Sequence, residues 1–114
     1  MFSIKRKFHR KVGQRRNFVR ILAHDLIMHE RMETTDARAR EVRPVVEKLV
    51  TIAKRQQLAS LRLLLRRLPV DAANKLYYDI APKYKERKGG YLRIVKMSGY
   101  RKRDAAKTAT IAFI

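Results

Sequence analysis

Length, composition and charge together exclude several classes of protein. The chain has 114 residues, of which 46% are hydrophobic, so we expect one compact domain with its own core rather than two domains or wholesale disorder. The 29 Lys and Arg residues outnumber the 10 Asp and Glu residues and give a net charge of +19. Such a charge repels itself unless a polyanion neutralises it. Nucleic acid is therefore the leading candidate for a partner, and an anionic membrane surface is the second.

Other features argue against membrane, secreted and cysteine-dependent proteins. The longest apolar-rich run, residues 58–68, is interrupted by Ser60, Arg62, Arg66 and Arg67, and it falls short of the ~20 apolar residues of a membrane-spanning helix. The first residues carry charge where a secretory leader has apolar residues, although this Arg-rich, acid-free start is also compatible with an organelle transit peptide. Cysteine is absent, which excludes disulfides, thiolate zinc sites and cysteine nucleophiles.

The charge is distributed unevenly along the chain. Residues 1–20 contain eight basic residues and no acidic one, residues 21–82 contain eleven basic and eight acidic ones, and residues 83–114 contain ten basic and two acidic ones. A nearly balanced middle is typical of folded surface, whereas basic ends are typical of segments that touch phosphate. Residues 1–13 lack a sustained apolar period, so we predict a basic N-terminal arm followed by a single domain, residues 14–114.

The first predicted element after the arm is a helix over residues 14–30. Phe18, Leu22, Leu26 and His29 recur at helical spacing and form its predicted apolar stripe. Three arginines lie near the start of this helix, where the helix dipole disfavours cations. An anion outside the protein would offset that cost. The three residues are Arg15, Arg16 and Arg20.

Residues 31–35 alternate in character and predict a strand, with Met32 and Thr34 on one face. Residues 36–55 predict a second helix, whose buried stripe contains Val42, Val46 and Leu49. Pro44 falls inside this helix, so the sequence leaves two alternatives open. Either the helix bends at Pro44, or a new helix begins there after a short turn.

Two shorter helices are predicted over residues 57–68 and 70–80, and Leu58, Leu61, Leu65 and Leu68 are predicted to face inward from the first. Gly89 and Gly90 predict a turn, and residues 91–97 and 108–114 predict strands that pair antiparallel through a basic loop. The order helix, strand, three helices and two strands predicts an α+β fold of two layers. In this fold the helices pack on a small three-stranded sheet.

The sequence offers little support for catalysis or for a metal site. His24 and His29 are five residues apart and diverge around a helix, so they do not converge on one metal ion. No zinc-helix motif, Walker loop or dinucleotide-binding glycine motif is present in the sequence. We therefore expect no enzyme activity, no cofactor and no small-molecule substrate.

Two segments are candidates for contact with nucleic acid. In the basic arm, Phe2, Phe8 and His9 are interleaved with cations and can stack on unpaired bases, although a charge run is often only a solvated surface. In the turn at residues 87–91, glycines let backbone amides approach a phosphate, and Tyr91 is predicted to present an exposed ring. The alternative for this second segment is a plain turn that leads into a strand.

Several short motifs, in this order and spacing, resemble a known family. They are residues 9–13 (HRKVG), 29–30 (HE), 32–35 (METT), 37–41 (ARARE), 49–54 (LVTIAK), 75–76 (KL), 80–84 (IAPKY) and 87–96 (RKGGYLRIVK). Over nearly its whole length the chain resembles bacterial large-subunit ribosomal protein seventeen. One departure is the loop at residues 101–104, which lacks the glycine that the family usually places before Asp104.

This resemblance implies a structural protein that binds large-subunit ribosomal RNA on the solvent side, near the peptide exit region, in the cytoplasm. It also implies neighbouring large-subunit ribosomal proteins as partners, and an organelle ribosome is a less favoured setting. A general nucleic-acid-compacting protein is the alternative. Charge pattern and resemblance together predict these RNA-binding residues: Lys5, Arg6, Lys7, His9, Arg10, Lys11, Arg15, Arg16, Arg20, Lys88, Gly89, Gly90, Arg93, Arg101, Lys102 and Arg103.

Overall fold

The computed structural model describes residues 12–100 and 107–114. The predicted order of one helix, one strand, three helices and two strands is confirmed. After the fourth helix, the helical path continues through a π-helical turn, Leu76–Ile80, and a 3-10 turn, Ala81–Tyr84. The elements are α1 (Val12–His29), β1 (Arg31–Thr35), α2 (Asp36–Ala53), α3 (Leu58–Arg67), α4 (Val70–Lys75), β2 (Leu92–Tyr100) and β3 (Lys107–Phe113).

The three strands form one antiparallel sheet in the order β1–β3–β2, so β3 is the central strand. The predicted antiparallel pairing of the last two strands is therefore confirmed. Ile111 of β3 pairs with Met32 on one side and Ile94 on the other, and it is completely buried. Successive side chains of a strand point to opposite faces. The row through Ile111 therefore faces the helices, and the next row, through Ala112, lies on the outer face.

Helix α2 lies at the centre of the helical layer and contacts the sheet, α1 and α3. Thr35 caps its start, because its side-chain oxygen accepts a hydrogen bond from the backbone N–H of Arg38 at 3.3 Å. Val42, Val46 and Leu49 are 0% exposed, as the periodicity predicted. The helix is continuous from Asp36 to Ala53 with Pro44 inside it, so of the two alternatives the split into separate helices is wrong.

Helix α3 is rotated relative to its prediction. Leu64 is 0% exposed, whereas Leu58 is 61% exposed and Leu65 is 39% exposed. The predicted inward row is therefore wrong at Leu58 and Leu65, whereas Leu61 is half-buried, and the fully buried face runs through Ser60 and Leu64. Leu68 is buried as predicted, but its backbone is extended (φ −130°, ψ 154°), so its side chain is out of phase with the helix.

Polar contacts join α1 to the helical path of α4. His24 Nε2 lies 3.2 Å from a carboxylate oxygen of Asp71, and Lys75 Nζ donates a hydrogen bond to Met28 O at 2.7 Å. The apolar stripe of α1 is confirmed at Leu22 and Leu26, but its predicted last member, His29, is exposed. The backbone explains this, because the helix ends at that residue.

Candidate nucleic-acid interface

The start of α1 presents part of the predicted RNA-binding set. Arg16 and Arg20 are exposed, and Arg15 belongs to the same stretch of helix. The first turn of α1 contains no acidic residue, so none of its own side chains supplies the negative charge that a helix N-terminus favours. This end of the helix is therefore suited to an external anion. Nine predicted residues lie outside the described part of the chain: Lys5, Arg6, Lys7, His9, Arg10, Lys11, Arg101, Lys102 and Arg103.

A second part of the set lies in the turn that precedes β2. Lys88, Gly89 and Gly90 are all exposed. Gly90 has φ +64°, in the left-handed region where a side chain is strained, which accounts for glycine at this position. A Cβ atom added at Gly89 or Gly90 would meet nothing within 4 Å, so the backbone of the turn is open to a group that approaches from outside. Such a turn can accept a phosphate against its backbone.

The turn is attached to the fold at both ends. Arg87 donates its backbone N–H to Tyr84 O at 3.0 Å, and its guanidinium donates to Gly90 O at 3.2 Å. On the other side of the turn, Ile114 donates its backbone N–H to Tyr91 O at 3.0 Å. Arg87, Gly90 and Tyr91 therefore hold the turn in position, and Lys88 and Gly89 lie exposed between them.

Tyr91 anchors the turn and does not present an exposed ring. The side chain is only 1% exposed, so the prediction of a ring available for stacking is wrong. Lys54, at the end of α2, donates hydrogen bonds from Nζ to Tyr91 Oη at 2.9 Å and to the carbonyl oxygen of Arg87. Burial acts to raise the pKa of the Tyr91 phenol, but hydrogen bonds to Lys54 and Thr51 outweigh it and lower the pKa below its usual value.

An aromatic cluster lies next to this anchor. The Tyr84 ring is 5.5 Å from that of Tyr91 and 6.2 Å from that of Phe113, centroid to centroid. The Tyr84 hydroxyl donates a hydrogen bond to Ile114 O at 2.6 Å. Burial, followed by the nearby charge of Glu30, raises the pKa of Tyr84 and keeps this hydroxyl protonated as a donor. The cluster ties the turn to the last strand of the sheet.

The outer face of the sheet brings together two arginines that are distant in sequence. Arg93 of β2 and Arg31 of β1 both pair with Ala112 of β3, one on each side, and both are exposed. Only Arg93 was among the predicted RNA-binding residues. Arg31 was not, because its place beside Ala112 depends on the strand order β1–β3–β2, and no local motif signals that order. Both arginines line a shallow groove of about 590 Å³ on this face.

The predicted RNA-binding residues that the structure describes fall at two opposite ends of the fold. At one end, the start of α1 meets the start of α2, since the Arg38 guanidinium lies 5.0 Å from the centre of the Phe18 ring. The pair Tyr100–Lys107 of β2 and β3 also lies at this end. The turn at residues 87–90 and Arg93 lie at the other end, where α1 finishes. An 18-residue helix spans about 27 Å, so one small ligand cannot reach both groups.

The described residues show no arrangement for metal binding. Within residues 12–100 and 107–114, no group of three or more His, Cys, Asp or Glu side chains is placed to hold a metal ion. His24 faces Asp71, and His29 bonds through Nδ1 to the carbonyl oxygen of Asp25 at 3.0 Å, so both have local structural contacts. In the same part of the chain, no helix is both long enough and apolar enough to cross a membrane.

Comparison with known proteins identifies the family. The profile of ribosomal protein L17 matches residues 18–114. The large ribosomal subunit protein bL17 of Desulfitobacterium hafniense is 44% identical over 110 residues, which cover 96% of this chain and 97% of that protein. The bL17 protein of Persephonella marina is 47% identical over 111 residues, which cover 96% of this chain and 90% of that protein. The bL17 protein of Sphingopyxis alaskensis is 47% identical over 110 residues, which cover 96% of this chain and 78% of that protein.

These matches define the class as ribosomal: the chain is a non-enzymatic structural protein. Within that class, it belongs to the ribosomal protein L17 family. The resemblance found in the sequence motifs is thereby confirmed, and so is the α+β fold that it implied.

Proposed function

We propose that this chain is a structural component of the large ribosomal subunit, where it binds and stabilises large-subunit ribosomal RNA near the peptide exit region in the cytoplasm. Family membership over 96% of the chain carries the proposal, because the relatives are named as large-subunit proteins. The exit-region placement and the neighbouring large-subunit proteins as partners follow from the resemblance of its sequence motifs. The exposed cations at two ends of the fold supply a physical basis for RNA binding.

The mechanism of binding is electrostatic and depends on position. Arg16 and Arg20 at one end, and Lys88 and Arg93 at the other, are exposed, so each can reach a phosphate without disturbing the core. Each phosphate that a cation neutralises releases a condensed counterion, and this release favours binding at low salt. The two groups lie about one helix length apart, so they are expected to join separate segments of folded RNA. A protein of this kind stabilises the RNA by holding those segments at a set distance.

Sedimentation of a cell extract that contains the full chain, carrying an epitope tag, tests the proposal. We expect the protein to migrate with the large subunit and to stay there after DNase treatment. RNase treatment or high salt should release it, because its contacts are with RNA phosphates. Migration with DNA, abolished by DNase, would instead support the alternative of a nucleic-acid-compacting protein. A core-truncated variant, Leu49→Ala, serves as a control for loss of folding.

A further inference from the structure

We propose that the groove on the outer face of the sheet binds a single unpaired nucleotide of RNA, with Arg31 and Arg93 on its two sides. The inference rests on the proposed function and names a site within it that the sequence did not predict. Unpaired RNA is the occupant, because exposed apolar surface lies between two arginines on a chain of net charge +19, and the lining also carries the carboxylates of Glu30 and Glu33.

The floor of the groove is apolar and accessible. Val95 is 50% exposed and Met97 is 43% exposed, both on the outer face of β2. Ala112 lies between the two arginines and contributes only a methyl group, so the floor is low at that row. Flat nucleobases bury apolar area against such surfaces, whereas a paired helix keeps its base faces stacked inside. The exposed apolar strip thus favours a base that is already unstacked.

The arginines lie where they can grip the nucleotide from both sides. Neighbouring strands are ~4.8 Å apart, so the Cα atoms of Arg31 and Arg93, with β3 between them, lie roughly 10 Å apart. A guanidinium plane stacks on a base and also binds a phosphate through two N–H donors. Two such side chains over a small residue leave room for one flat ring or one phosphate between them.

The row of the sheet next to Ala112 contains two polar residues, Glu33 and Thr110, that can contact the edge of a base. Glu33 and Val95 both pair with Thr110, and all three line the groove. A carboxylate accepts hydrogen bonds from the amino groups of bases, and a hydroxyl can donate or accept. Glu30 also lines the groove, but its carboxylate oxygens lie 3.7 Å from Lys75 Nζ and 3.6 Å from Lys83 Nζ, so its charge is offset within the protein.

The size of the groove agrees with this occupant. Its volume of about 590 Å³ falls within the ~300–1,000 Å³ range of sites that hold small organic groups. One nucleotide is of this scale. Arg93, which lines the groove, follows Gly90 by three residues in the chain, so the same RNA strand can continue onto the exposed backbone of the turn at residues 87–90.

Chemical probing of large-subunit ribosomal RNA tests the site. Dimethyl sulfate, which reports accessible adenine and cytosine edges, and a backbone-cleaving radical are applied to purified RNA with and without the full chain. The test variant is Arg31→Ala combined with Arg93→Ala. Arg62→Ala combined with Arg66→Ala on α3 is the matched control, since it removes the same charge from another exposed surface. Val95→Ser removes apolar floor without changing charge.

We expect the wild-type chain to protect an unpaired nucleotide that becomes reactive again with the double groove variant and with Val95→Ser, but not with the control. Affinity should fall roughly 5- to 150-fold, the range for losing one stacked base. A wild-type chain that does not bind the RNA would overturn the proposed function as well. Binding with the same protections for every variant would overturn the groove site alone. Unchanged protections with poorer incorporation into subunits would also overturn it, and would indicate a protein-binding face.

Discussion

Lys54 and Tyr91, 37 residues apart in the chain, meet at 2.9 Å between Nζ and Oη. Lys54 ends the second helix, and Tyr91 immediately precedes the second strand. The same ammonium group also donates to the carbonyl oxygen of Arg87, at the start of the exposed turn. One side chain therefore connects the helical layer, the turn and the edge of the sheet.

Lys54→Met should destabilise the fold by about 1–3 kcal/mol, because it leaves a buried phenol and a backbone carbonyl without their donor. Tyr91→Phe removes the other partner and should cost about 0.5–1.5 kcal/mol. Urea unfolding of both single variants and the double variant measures the coupling. The double variant should lose less stability than the sum of the two single losses, because both changes remove the same hydrogen bond. Strict additivity would contradict this contact.

The rotation of α3 predicts a large difference between two leucines of one helix. Leu64→Ala should cost about 2–5 kcal/mol, because the side chain is fully buried and its loss leaves a cavity. Leu58→Ala should stay within about 0.5 kcal/mol, because that side chain is 61% exposed. Thermal or urea unfolding of the two variants provides the comparison. Equal losses would show that Leu58 belongs to the core, as its spacing alone had suggested.

Asp71 should contribute to the acid sensitivity of the fold. A hydrogen bond with His24, followed by one from the backbone of Ala72, lowers the pKa of Asp71 below its ordinary value of 3.8. A carboxyl group whose pKa is lowered by folding stabilises the fold above its unfolded pKa, and this contribution is lost as the pH falls through the folded value. Asp71→Asn should therefore be less stable than wild type near pH 6 and equal to it in strong acid.

The control for this pH effect removes the partner. In a His24→Ala background, the carboxyl group loses the main cause of its shift, so Asp71→Asn should have a much smaller effect on the stability–pH curve. Urea unfolding from pH 2 to pH 7 gives the four curves. Wild-type and Asp71→Asn curves that remain parallel over this range would show that the contact contributes nothing to folding.

The order of elements and most of the core could be predicted, because they depend on local periodicity. The stripe through Val42, Val46 and Leu49 follows directly from 3.6-residue spacing, and the alternation around Ile94 follows from strand geometry. In α2 and β2, folding buries the face that the sequence makes apolar, so the local pattern predicts the core there. The sequence alone did not show whether α2 continues through Pro44, because a proline can either bend a helix or begin one.

The rotation of α3 and the groove depend on contacts between distant residues. Leucines surround much of α3, so helical spacing alone does not show which of them points inward. In the turn that joins α2 to α3, Gln56 adopts φ 53°. The side-chain amide of Gln56 donates to Ala53 O at 2.8 Å and to Tyr77 O at 2.9 Å, which fixes that turn against the rest of the helical layer. Likewise, Arg31 and Arg93 come to lie on either side of Ala112 only through strand order. Such relationships carry no signal within a short window of sequence.

The central claim is that exposed arginines at two ends of the fold serve RNA binding and not folding. Arg16→Ala and Arg93→Ala test it most directly, because one lies at each end and both side chains are exposed. The measurement is paired: the thermal unfolding of each purified variant, and its incorporation into large subunits in competition with the wild-type chain. We predict stabilities within about 0.5 kcal/mol of wild type, as for other surface positions, together with clearly reduced incorporation. Variants that unfold more readily yet incorporate normally would contradict the account.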